Sequence, residues 1–161
     1  ALATLLFDLA KGVIAVLVCR FIVTNLLNVT LFNNEMFIGY VAGLCVMLGH
    51  IFPVFYGFHG GKGVLIAATT LLAIDPLTCV FALSVFIIVV AITKYVSVGS
   101  ICAGYAYPLF TVITQLLRDI NGVWLNTFMA LVIGVLITYM HRTNIERLKA
   151  GTENKLSLKS K

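Results

Sequence analysis

Apolar residues run along this chain in long blocks, broken only by short polar connections. The blocks cover roughly residues 9–32, 36–56, 64–74, 77–93, 100–117 and 121–140. Backbone groups placed in hydrocarbon must find their hydrogen-bond partners within their own segment, so each block predicts a helix. The third block is unusually short: at this length it makes about 16 Å of helix, against the roughly 30 Å of a bilayer core. Either it lengthens by recruiting the Gly-Lys-Gly turn before it, or it is a half-span whose N-terminus points into a cavity. The second arrangement aims the positive end of a helix at an anion. Gly39, Gly43, Gly104 and Gly134 fall inside the blocks, where small residues let helices approach closely. No internal repeat is visible.

Composition turns these helices into membrane spans. The chain has 161 residues, 61% hydrophobic and 11% charged, with mean hydropathy +1.07. Soluble domains carry about 25% charged residues, and a water-soluble fold of this size could not hide so much apolar side chain. The expected architecture is an all-α, polytopic transmembrane helical bundle of about six membrane helices, one of them short or half-spanning. Residues 1–149 form the membrane domain and 150–161 a polar tail expected to fray. The basic residues form no stripe interleaved with exposed aromatics, which argues against nucleic acid. Cys19, Cys45, Cys79 and Cys102 are scattered through apolar stretches without a Cys-x-x-Cys pair, and are read as small packing residues. The sequence begins with Ala1 inside an apolar run and shows no signal peptide, so residues upstream of it are expected.

The connections sort by charge. Asp8–Lys11, 49–63, 93–100 and the tail from His141 carry Lys11, Lys62, Lys94, Arg142, Arg147, Lys149 and three further lysines. The connections 25–35, 75–76 and 118–121 carry one arginine, Arg118, with Glu35, Asp75 and Asp119. If every block crosses, the two sets lie on opposite faces, and the positive-inside rule makes the first set cytoplasmic. Every candidate for chemistry lies on that face.

The first candidate is Gly60-Gly61-Lys62-Gly63. It is not a Walker A loop, lacking the spaced first glycine and the Ser/Thr after lysine. Glycines still let successive N–H groups point at one anion, and Lys62 adds a full positive charge; a plain flexible turn is the alternative. His50 either hydrogen-bonds at a helix end or lines the site. His59 either lines it or is a solvated turn residue. Ser97 and Ser100 share a helical face, and from spacing alone N-capping is favoured over phosphate ligation. His141 and Asn144 face one way if the last helix continues, with Arg142 and Arg147 elsewhere, toward lipid headgroups. His141 could take a proton from a hydroxyl nucleophile or orient it. Asp8 and Lys11 are placed to pair, and Arg20 to snorkel or find a partner. No paired carboxylates, metal-ligand spacing or Gly-x-Ser-x-Gly elbow is present.

Three motifs in register then carry a resemblance: Gly49-His-Ile-Phe-Pro-Val-Phe followed by Gly60-Gly-Lys-Gly63, Lys94-Tyr-Val-Ser-Val-Gly-Ser100, and His141-Arg-Thr-Asn-Ile-Glu-Arg-Leu-Lys-Ala-Gly-Thr-Glu153. Together with Asp8-Leu-Ala-Lys-Gly12, they resemble the bacterial acyl-phosphate-dependent glycerol-3-phosphate acyltransferases over essentially the whole chain. That family has seven membrane helices and, ahead of the part matched here, a first span and a Ser-Gly-Asn-Pro-Gly-Ala-Thr-Asn motif with a following arginine. Nothing in this chain matches that motif. The resemblance implies transfer of an acyl group from acyl phosphate to the sn-1 hydroxyl of glycerol-3-phosphate, in a bacterial inner membrane, without cofactor or metal. It implies phosphate binding by Gly60, Gly61, Lys62, Gly63, Ser97 and Ser100, and catalytic roles for Lys62, His141 and Asn144. The alternatives are a non-catalytic membrane phosphate-binding or transport protein, and an inactive fragment of the enzyme.

Overall fold

The structure is a computed structural model that describes residues 2–156, with side chains from Phe7 onward. Among the described residues seven α-helices follow in order: α1 Leu2–Arg20, α2 Phe37–Ile51, α3 Val64–Ile74, α4 Pro76–Thr93, α5 Val96–Leu116, α6 Val123–Met140 and the short α7 Arg142–Lys149. A π-helical stretch, Phe21–Leu26, prolongs α1, and the span Phe7–Leu26 is one of five among the described residues long and apolar enough to cross a membrane. The others are Phe37–Tyr56 and helices α4, α5 and α6. Several polar side chains are buried beside the apolar core and many large apolar ones are exposed: Asp75, Gln115 and Asn126 have no exposed surface, while Ile92 and Trp124 are largely bare. So much exposed apolar surface fits a bundle whose solvent is lipid.

Local chemistry sets the helix ends. The long first block is not one helix to residue 32: helical geometry ends at Leu26 and the chain reverses at Asn28, whose φ of 51° suits asparagine. Asn34 then caps α2, its Oδ1 accepting from the N–H groups of Met36 and Phe37. The second block also stops short of 56. Pro53 pushes Phe52 out of helical geometry, and only a 3-10 turn at Val54–Tyr56 follows. Asp75 caps α4, with Pro76 at the first helical position. The α5 helix begins at Val96, four residues before its apolar block, so the Val-Ser-Val-Gly-Ser segment is its first turn.

Close approach is set by glycine where helices cross. A Cβ at Gly134 would overlap the carbonyl oxygen of Gly104, so α5 and α6 meet backbone to backbone. On the other side of the bundle α3 packs against α1 and α2, with Gly43 against Thr70 and Gly39 against Ile74 and Arg20. Tyr40, Met47, Ile66 and Ile133 fill the interior between these pairs. Cys79 is buried with them, whereas Cys45 lies exposed on α2.

The connections gather at two ends, as their charges predicted. At one end Lys11 meets His50, Lys62 meets Asn144 and Ser97 meets Glu153. At the other Asn34 meets Asn126, and Asp75 meets Arg118. The tail is a correction to the fraying expected from its polarity. Gly151 (φ 70°) turns the chain back after α7, Thr152 N–H donates to the Arg147 carbonyl, and Leu156 N–H donates to the Lys94 carbonyl at 2.7 Å. Residues 150–156 thus form a strap across the first end, and 157–161 lie outside the described residues.

Candidate active site

The Gly60–Gly63 loop starts from the end of α2. Gly60 has its N–H donated to the Ile51 carbonyl at 3.1 Å, and Gly61 packs flat on the His50 ring, leaving no room for a side chain. Gly63 adopts φ 77°, a left-handed conformation that glycine reaches at no steric cost, and from there α3 begins. The loop therefore does not lengthen α3. It is the second of the two expected arrangements: an 11-residue helix whose first turn, Gly63, Val64 and Leu65, borders a cavity. Two features supply positive potential there, the N-terminus of α3 and the Lys62 ammonium.

This cavity has a volume of about 380 Å³, within the usual range for small-ligand sites. Lys62, Ser97, Ser100, His141 and Asn144 line it together with His50, Gly63 and Glu153. The Lys62 Nζ donates to Asn144 Oδ1 at 2.6 Å, tying the loop to α7 across 82 residues of sequence. Asn144 Nδ2 donates to Glu153 Oε1 at 2.7 Å, and Ser97 Oγ donates to the same oxygen at 2.8 Å. Arg147 Nε donates to Glu153 Oε2 at 3.0 Å. The amide of Asn144 is thereby oriented from both ends: a cation holds its oxygen and a carboxylate its nitrogen. The Asn144 amide and the Ser97 hydroxyl hold the Glu153 carboxyl below the usual carboxylate range, so it is charged at neutral pH.

His141 sits at the junction of α6 and α7 and is buried. Its Nδ1 lies 2.8 Å from the Ile137 carbonyl. A carbonyl can only accept, so Nδ1 carries the proton and Nε2 of the neutral ring is left as an acceptor. Burial depresses the pKa of this imidazole; the Ile137 carbonyl and Glu153 pull against that depression while Lys62 adds to it. The ring is therefore neutral at pH 7, and what it offers is a lone pair rather than a charge.

Two of the expected N-caps are corrected. Ser97 gives its hydroxyl to Glu153, and Ser100 gives its own to the Val96 carbonyl at 2.9 Å; the cap position of α5 is Tyr95, without a side-chain bond. His59 is exposed, bonded to the Gly57 carbonyl, and does not line the cavity. Of the two arginines expected to face elsewhere, Arg142 lies over the Tyr139 ring, but Arg147 turns in toward Glu153. Glu153 was missed by sequence reasoning. The available signal was an acid within a strongly basic tail, which a frayed segment leaves without purpose. From Val64 and Ser100, shared with the polar cavity, a narrow slot of about 60 Å³ leads between α3, α4 and α5 past Ala67, Ala82 and Gly104 to Tyr107. Its walls are almost wholly apolar.

Known proteins resemble this chain along nearly its whole length. A family model described as glycerol-3-phosphate acyltransferase matches residues 1–151. A glycerol-3-phosphate acyltransferase from Chlorobaculum parvum is 39% identical, covering 97% of this chain and 75% of that relative. One from Clostridioides difficile is 40% identical over 97% of this chain and 71% of the relative. Among solved structures, the crystal structure of PlsY, an integral membrane glycerol 3-phosphate acyltransferase, in its glycerol 3-phosphate form superposes with a TM-score of 0.76 at 32% identity. It covers 97% of this chain and 70% of that one. The lysophosphatidic acid form of the same enzyme gives a TM-score of 0.75.

Proposed function

The chain belongs to the glycerol-3-phosphate acyltransferase family, and on that premise we propose how its cavity works. The protein is a multi-pass membrane acyltransferase acting in phospholipid synthesis. Its acceptor is glycerol-3-phosphate and its donor an acyl phosphate. The sn-1 hydroxyl oxygen attacks the acyl carbonyl carbon, the bond from that carbon to the phosphate oxygen breaks, and lysophosphatidic acid and free phosphate leave. Acyl phosphate is an activated anhydride, so no covalent enzyme intermediate is needed.

Most of the lining groups have a part in this scheme. Lys62, the Gly63 turn and the N-terminus of α3 bind phosphate and offset the charge that develops on the carbonyl and leaving oxygens. Ser97 and Ser100 are phosphate ligands, with Gly60 and Gly61 holding the loop in place. Asn144 and His141 position the glycerol phosphate. The bare Nε2 of His141 accepts the hydrogen bond of the attacking hydroxyl and holds it in line, and a substrate phosphate oxygen takes up the proton. The acyl chain runs from Ser100 along the apolar slot toward lipid. The charge sorting of the connections supports the reading that this end of the bundle faces the cytoplasm from a bacterial inner membrane.

A single observation carries the reading: an ammonium and an imidazole, 79 positions apart in a sequence of 161 (141 − 62 = 79), border one cavity whose apolar extension begins at Ser100. The test uses purified protein in detergent or vesicles, supplied with acyl phosphate and glycerol-3-phosphate. Lys62→Ala and His141→Ala are each expected to lower lysophosphatidate formation by about 10²–10³-fold, the usual effect of deleting a group that stabilises developing charge. Normal turnover by both variants refutes the site assignment. Turnover with an acyl thioester in place of acyl phosphate refutes the donor.

A further inference from the structure

Asp8, Lys11 and His50 form a chain of polar contacts that leads from α1 to the wall of the cavity and has no part in the scheme above. Lys11 Nζ donates to Asp8 Oδ1 at 2.6 Å and lies 3.0 Å from His50 Nδ1. Asp8 Oδ1 is 3.8 Å from the same ring nitrogen. All three side chains are largely covered, with 31%, 21% and 20% of Lys11, Asp8 and His50 exposed, so the arrangement is set by the fold rather than by water.

An ammonium can only donate. His50 Nδ1 must therefore accept, and in the neutral ring the proton sits on Nε2. This is the opposite tautomer to that of His141. Nε2 lies against Gly61, at the spot a Cβ on that residue would occupy. Its ring also lines the cavity beside Lys62 and Gly63. No protein acceptor is found for this N–H among the described residues.

We infer that His50 donates its Nε2–H to a phosphate oxygen of substrate, and that Lys11, held by Asp8, is a positioning residue that fixes the donor tautomer. The inference rests on the cavity being a phosphate site. It assigns to the cavity one histidine that accepts from substrate and one that donates to it. The phosphate belongs either to glycerol-3-phosphate or to the acyl phosphate, and the same oxygen chemistry serves both.

Steady-state kinetics of the purified enzyme, varying each substrate in turn with inorganic phosphate as competing probe, test the idea. His50→Met keeps bulk but has no N–H, whereas His50→Gln keeps an N–H at the reach of Nε2. The Met variant is expected to raise KM for one phosphate substrate about tenfold, and Ki for inorganic phosphate in parallel. The Gln variant should recover most of that loss. Whichever KM rises identifies whose phosphate is bound. Lys11→Met alone should raise the same KM about threefold and add nothing in the His50→Met background, because it acts through His50. Equal KM values for the Met and Gln variants overturn the inference, as does a full additional effect of Lys11→Met in the double variant. Lys62→Ala, run alongside, separates the two readings. Loss of activity there with unaffected His50 variants sinks only the histidine; normal activity in Lys62→Ala sinks the phosphate site itself.

Discussion

The two ends of the bundle are built from the same kinds of side chain and put to different uses. At one end Asp75 Oδ2 accepts from Arg118 Nη2 at 2.5 Å, from Gln115 Nε2 at 3.2 Å and from Thr78 Oγ1 at 2.8 Å. Gln115 Oε1 accepts from Asn126, Asn126 Oδ1 accepts from Asn34, and Asn34 Oδ1 caps α2. The bonds run from Asp75 through to the cap of α2, and the fully buried members Asp75, Gln115 and Asn126 find their partners within the protein. At the other end Lys62, Asn144, Ser97 and Glu153 also bond to one another, but around a cavity of about 380 Å³ that His141 borders with an unshared lone pair. A saturated network stabilises; one left open at its centre can bind.

The sharpest way to break this comparison is to delete one member at each end. Asp75 is fully buried, and its loss leaves Arg118, Gln115 and Thr78 without their shared acceptor. Asp75→Ala should therefore cost about 3–5 kcal/mol of stability, the usual range for breaking a buried ion pair. Thermal unfolding in detergent measures it, and turnover per folded molecule should stay near normal. Lys62→Ala should do the reverse: its side chain is exposed overall, so stability changes by about 0.5 kcal/mol or less while activity collapses. Two variants with the same pattern of loss would erase the distinction between the ends.

How much of this was legible in the sequence follows from the range of the interactions. The apolar blocks reveal the helices because pairing of backbone groups in lipid is local. Charge counting separated the two ends because it sums over whole connections. The convergence of Lys62, Ser97, His141 and Asn144 was legible only through motif resemblance, since no local rule brings loop, α5 and α7 together. Helix ends were less legible where one residue decides them, as at Asn28 and Pro53. The Asp75 layer was not legible at all: Asn34, Asp75, Gln115, Arg118 and Asn126 come from four connections or helix ends and meet only after folding. Glu153 was lost for a related reason. A polar tail looks solvated until its carboxylate is seen to have three donors waiting.

The next effect is one of pH, and it separates the ends by their titrating groups. His141 has its pKa lowered from the ordinary 6.5, mainly by burial, so the neutral acceptor is the working form. Activity should be flat from about pH 6.5 upward and fall as pH drops through the depressed value, where the ring takes a proton and Nε2 ceases to accept. Stability moves the same way. The unfolded chain protonates first, so folding loses free energy as pH falls from 6.5 to the folded pKa. Glu153 acts in a lower window. Its folded pKa lies below the ordinary 4.5, so its contribution is present above 4.5 and is lost on acidification through the folded value. A pH profile of kcat/KM compared with that of His141→Gln checks the assignment: the Gln variant should lack the limb below 6.5. Persistence of that limb would assign it to another group.

The smallest effect sharpens the comparison most. If the hydrogen bonds at the cavity end serve to position ligands, weakening one without emptying the site should change binding more than stability. Glu153→Gln does this. Its side-chain oxygen can still accept from Asn144 and Ser97, but its amide nitrogen then faces the Arg147 donor, and the charge that orders all three is gone. Asn144 loses part of what fixes its amide, and Lys62 with it, because the Lys62 ammonium is bonded to the far side of that amide. A single neutralised hydrogen-bond partner implies a rise in KM for glycerol-3-phosphate of about twofold to tenfold, with kcat less affected. Glu153→Ala, which also releases the strap, should lie above that range. A Gln variant that unfolds earlier yet keeps its KM would show that this carboxylate only fastens the tail, and that the two ends differ less than their geometry implies.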